Sequence, residues 1–129
     1  MRIACVILAI SALTSQAAFG DEIRRTAFAS ALLGTWARTI ELCDMKDESN
    51  IVISEKRYIG SDKNCSVQVI VETAGALGPN YSVRALCADQ SDPSKTNIAN
   101  LIIRPQNNDR ISVGKAFDEL KSYHRCPVK

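Results

Sequence analysis

Four groups of residues in this 129-residue chain have types and spacings that could do chemistry. Cysteine is the first: Cys5, Cys43, Cys65, Cys87 and Cys126 are widely spread, and none forms a C-x-x-C. That spacing supports neither a zinc ribbon nor a thioredoxin-like redox pair. His124 is the second. It is the only histidine, which excludes a multi-histidine metal site within one chain. It stands two residues before Cys126, so on a strand the two side chains share a face and a Cys–His dyad can be drawn. An even set of cysteines in an exported chain is oxidised, which removes the thiolate and leaves His124 as a polar rim residue. The third group is the carboxylate pairs Asp47-Glu48 and Asp118-Glu119, whose adjacent side chains point apart and do not form a catalytic couple. The fourth is Tyr58 and Tyr81, the candidate binding surface if exposed and core filling if not. No G-x-S-x-G, H-E-x-x-H, P-loop or dinucleotide fingerprint is present. The expectation is a protein that is not an enzyme, with no catalytic residues, metal or cofactor.

The compartment follows from the amino-terminal segment. Met1-Arg2 is positive, Ile3 to Leu13 is apolar, and Ser15-Gln16-Ala17 or Ala18-Phe19-Gly20 places small residues at a cleavage site. The apolar run is too short for a membrane span, which needs roughly 20 residues. Residues 1–20 therefore read as a cleavable signal peptide, and 21–129 as a single domain in the periplasm or outside the cell. Loss of Cys5 leaves four cysteines, the number for two disulfides. Lys and Arg total 16 against 14 Asp and Glu, and removing Arg2 leaves 15 against 14. So even a balance, with scattered charges, excludes a nucleic-acid binder.

These groups must be positioned by the elements around them. Ile23, Ala27 and Ala31, with Phe28 and Leu32, recur at helical spacing, and Gly34 follows, so 21–33 is expected to form a short helix. Beyond it, short runs rich in Val, Ile, Thr and Tyr alternate with polar turn clusters. Strands are expected over 36–42, 51–54, 57–60, 65–73, 81–88, 98–104, 110–113 and 120–126. The fold class is mainly β: a small antiparallel meander barrel of about 7–8 strands, with a short amino-terminal helix and two disulfides.

The central hairpin gives a disulfide. Cys65, Val67, Val69 and Val71 share one face of their strand, and Tyr81, Val83, Ala85 and Cys87 one face of the next. Antiparallel pairing sets Val71 opposite Tyr81, Val69 opposite Val83, Val67 opposite Ala85 and Cys65 opposite Cys87, so the register that buries the apolar faces also joins the sulfurs. Cys65–Cys87 is predicted on that ground, which leaves Cys43–Cys126 to link the first strand to the last, as a closing barrel allows.

The run Leu33-Gly34-Thr35-Trp36, Gly-x-Trp opening the first strand, resembles the start of calycin-type barrels such as lipocalins, avidins and bacterial metalloprotease inhibitors. The resemblance implies that Trp36 closes one barrel end under an arginine from a late strand, for which Arg125 is the candidate through cation–π stacking. Those inhibitors insert an amino-terminal tail into a protease cleft, and Asp21-Glu22-Ile23 departs from that tail. Across the mature chain, Gly34-Thr35-Trp36-Ala37, Cys43, Cys65-Ser66-Val67, Ser82 to Cys87 and Tyr123-His124-Arg125-Cys126 also resemble small secreted proteins of alphaproteobacteria, which implies a periplasmic location and supplies no catalytic residues.

The function expected is a non-enzymatic periplasmic or secreted binding or inhibitor domain. Its partner would be a protein such as an envelope or host hydrolase, with no nucleic acid and no membrane span. The alternatives are a carrier of a small apolar ligand, which requires a cavity of at least about 300 Å³, and a small hydrolase using His124. Segments 74–80 and 89–97 are expected to be exposed loops that make the first contacts.

Overall fold

The computed structural model describes residues 22–60, 63–76 and 78–128. The expected signal peptide and both its cleavage sites lie outside the described residues. Nine strands are formed: β1 (Glu22–Arg25), β2 (Gly34–Ala37), β3 (Ile51–Ser54), β4 (Arg57–Gly60), β5 (Lys63–Gly75), β6 (Gly78–Asp89), β7 (Thr96–Asn107), β8 (Arg110–Gly114) and β9 (Lys121–Arg125). From β2 onward each strand pairs antiparallel with the next, and β9 returns to β2, which closes an eight-stranded barrel. Both expected disulfides are present, Cys43–Cys126 and Cys65–Cys87. Inward-facing Leu32, Trp36, Ile53, Ile70, Val83, Ile103 and Ile111 fill the core.

The β5–β6 register is the expected one at Cys65↔Cys87 and Val67↔Ala85, then slips by one at a bulge between Val67 and Val69. Beyond it Ile70 faces Val83 and Glu72 faces Tyr81, in place of Val69 and Val71. The cause is a change of neighbour. The short β4 accompanies β5 only as far as Ser66, and β1 takes the same edge from Ile70 to Thr73. An extra residue where one partner ends and another begins bends the long strand and turns the isoleucine inward.

That vacated edge also explains why 22–33, the described part of the expected helix, is not helical throughout. Glu22–Arg25 pairs with β5, fixed by an Arg25–Glu72 ion pair at 2.8 Å, and only Ser30–Leu32 makes a helical turn, of 3-10 type. A helix this short is marginal by itself, and strand pairing to an open edge outweighs its apolar spacing. Phe28 and Leu32 are buried as the spacing implies. Glu22 and Ile23, the described residues of the segment compared with an inhibitory tail, are thus tied into the sheet.

Two further expectations change. The first barrel strand stops at Ala37, not Leu42, and Ile40–Cys43 is a 3-10 turn. Cys43 must reach Cys126, whose N–H donates to the Thr35 carbonyl at 2.8 Å, so the chain turns back instead of extending the wall. Segment 74–80 is no loop: β5 and β6 run to Gly75↔Gly78, leaving a two-residue connection, and Gly78 just after it takes a φ of 119°, which glycine adopts without a Cβ penalty. The 89–97 connection is likewise shortened to 90–95.

Candidate functional site

The two ends of the barrel differ, and the difference begins with Gly-x-Trp. Trp36 is fully buried and its indole N–H donates to the Leu32 carbonyl at 3.0 Å. Arg125, opposite Trp36 in the β2–β9 pairing, stacks on the indole 4.2 Å from the ring centroid. Its guanidinium donates to the carbonyls of Leu33 at 2.7 Å, Asn108 at 3.0 Å and Ala31. One side chain therefore ties the 3-10 turn and the β7–β8 turn across this end. Gly34 makes room for it: its φ is 134°, and a Cβ there would lie 3.2 Å from an Arg125 nitrogen. This end is plugged.

The opposite end opens into a recess of about 580 Å³ lined by Ile51, Tyr58, Lys63, Leu101, Lys115 and Tyr123, with the Cys65–Cys87 disulfide on its wall. An adjoining recess of about 510 Å³ shares Tyr58, Leu101, Lys115 and Tyr123 with it and adds Glu119 and Lys121. The sides of the mouth are uneven because β6 and β7 run on beyond the point where β8 ends at Gly114. Among the described residues Lys63 and Lys115 are the charged ones lining the main recess, and Arg38 stacks on the Tyr123 ring at 5.5 Å. Asp89 lies opposite Lys63, its carboxyl held below the usual range chiefly by the Ser91 hydroxyl and less by Lys63 itself.

Tyr58 and Tyr81 are core residues and not an exposed surface. Both point into the barrel and are only 9% and 7% exposed, because the alternation of β4 and β6 puts them on the inner faces. Burial is the main cause of raised pKa values in both hydroxyls; Tyr123 adds to it at Tyr58, and Glu72 adds to it at Tyr81. Tyr58 nonetheless borders the recess from inside. His124 sits half-buried on the face of β9 opposite Tyr123 and Arg125. Cys126 shares that face, but its sulfur is bonded to Cys43, so no Cys–His dyad forms. Among the described residues no three metal-ligating side chains cluster.

Lys63, Lys115, Leu101 and Tyr123 were not singled out by sequence reasoning, since each is unremarkable alone. The signal was an inequality of lengths: the apolar run at 98–104 outlasts its partner at 110–113, so one of the two strands had to project. No protein-family model, curated protein or solved structure matches the chain.

Proposed function

We propose that this protein is a non-enzymatic binding domain working outside the reducing cytosol, in the periplasm or secreted, with the open mouth of its barrel as the binding site. The contrast between the ends carries the reading: one is plugged by Leu32, Trp36 and Arg125, while the other keeps an apolar recess of about 580 Å³ with lysines on its wall. Binding sites are concave, mostly apolar and furnished with a few polar groups that fix orientation. The two disulfides support the compartment, and among the described residues no helix is long and apolar enough to cross a membrane. The stack of Arg125 on Trp36 behind Gly34 supports the calycin resemblance. A protein partner such as an envelope or host hydrolase fits this reading. A small apolar ligand is the second one, favoured by a recess larger than the roughly 300 Å³ such ligands need.

The test is titration of the disulfide-intact protein with anilinonaphthalene sulfonate, an apolar anionic dye. One saturable site is expected. It is weakened about tenfold or more by Ala99→Trp, which fills the mouth, and likewise by the surface change Lys115→Glu. No saturable binding, or binding unchanged in both variants, would remove the mouth as the site.

A further inference from the structure

One wall of the mouth is the edge of a strand. Along β7, Thr96 to Ile103 pair with β6, but pairing with β8 begins only at Ile102. Among the described residues, then, no strand pairs with the second edge of Thr96–Leu101. The direction of its main-chain groups follows from the neighbouring hairpin. Cys65 and Cys87 face each other with Cα atoms 3.9 Å apart, the close spacing of a non-hydrogen-bonded antiparallel pair. The N–H and C=O of Cys87 therefore point away from β5 and toward β7, where its partner is Asn97. Alternation then directs Asn97, Ala99 and Leu101 to β6, and leaves the N–H and C=O of Ile98 and Asn100 facing the gap.

The lining of the recess agrees independently. Ile98, Ala99, Asn100 and Leu101 border it consecutively. A strand shows only alternate side chains to one side, so four residues in a row border a cavity when the edge itself faces it. Thr96–Leu101 carries none of the proline or charge that guards exposed edges against strand addition. On the outer face, the cross-strand partners Leu86 and Ile98 are 38% and 44% exposed.

The occupant must satisfy this wall. An apolar small molecule would cover the Ile98 and Asn100 amides and carbonyls without bonding them, which costs free energy. An extended peptide meets them with its own main chain. Resting on the reading of the mouth as the binding site, we infer that it takes an extended polypeptide segment of a partner protein. This segment adds as a strand to β7 along Thr96–Leu101. One apolar side chain enters the recess between Leu101, Tyr58 and Tyr123, and an acidic side chain or terminal carboxylate meets Lys63 and Lys115, since among the described residues no carboxylate lines the main recess.

The test uses nitrogen-15-labelled, disulfide-intact protein and a set of N-acetyl heptapeptides. Threonine alternates in them with valine, isoleucine, leucine or phenylalanine, and each ends in aspartate with a free carboxylate. Binding by members of the set is expected to slow amide exchange at Ile98 and Asn100, and to weaken in Lys115→Glu. Because only one alternate set of peptide amides faces β7, N-methylating one set should weaken binding about tenfold or more while methylating the other does not. Equal effects of the two methylations would overturn strand addition. So would binding of decanoate with no binding by any peptide, which returns the mouth to a small apolar ligand and leaves the site itself standing. Protection of Ile98 and Asn100 that rises with protein concentration and no peptide would overturn it in favour of a second copy. Failure of peptides, decanoate and the naphthalene dye together would remove the mouth as a site altogether.

Discussion

Arg125 joins more of the molecule than any other single side chain described above. Its stack on Trp36 and its bonds to the Leu33, Asn108 and Ala31 carbonyls all fall at the plugged end. Arg125→Ala is expected to lower stability by about 2–4 kcal/mol, since it strands acceptors and unstacks the indole. Arg125→Lys recovers only part, because an ammonium lacks the planar fork. Urea denaturation of the three proteins measures both, and equal midpoints for parent and lysine variant would contradict the bonding argument. Tyr58 sets a pH dependence. Burial holds its hydroxyl protonated above the ordinary tyrosine value of 10.0. The unfolded chain ionises first, so this stabilisation is complete below about pH 10 and is lost as pH rises beyond it. The urea midpoint should fall between about pH 9 and 11, and fall less in Tyr58→Phe; equal falls would exclude Tyr58 as a source. The Trp36–Arg125 pairing was expected from the resemblance of Gly34-Thr35-Trp36 to the start of calycin-type barrels. The burial of Tyr58 and Tyr81 was not, because tyrosine serves core and surface alike until the strand's inner face is known.

The elements show why local patterns succeed in some places and fail in others. β3 and β4 have the bounds expected of them, 51–54 and 57–60, because both are short runs bounded by turn residues. The bulge in β5 was hidden: Cys65-Ser66-Val67-Gln68-Val69-Ile70-Val71 offers apolar residues to either face, and only the handover from β4 to β1 decides between them. Ile70 is fully buried while Val71 is not. Ile70→Ala should therefore cost about 2–4 kcal/mol and Val71→Ala clearly less. The reverse order in denaturant titrations would mean the register does not slip. The amino-terminal strand was missed for a related reason. Its partner is 47 residues away at the Arg25–Glu72 contact, beyond the reach of helical periodicity.

At the scale of the molecule, two crosslinks hold a rolled sheet. The sequence separations are 22 for Cys65–Cys87 and 83 for Cys43–Cys126, worth on the order of 3 and 4–5 kcal/mol on the chain-entropy model. Their pairing was legible because the hairpin register brought one pair together and barrel closure required the other. The mouth was less legible, since it arises from a mismatch in strand lengths and from residues brought together only by closure. Its central feature is the open edge of β7, which amide hydrogen exchange on the uncomplexed, disulfide-intact protein reads directly. Fast exchange is expected at Ile98 and Asn100 and slow exchange at Asn97, Ala99 and Leu101, a difference of about a hundredfold or more between neighbours along one strand. Uniform slow exchange across 97–101 would mean that the edge is covered, and would contradict that expectation.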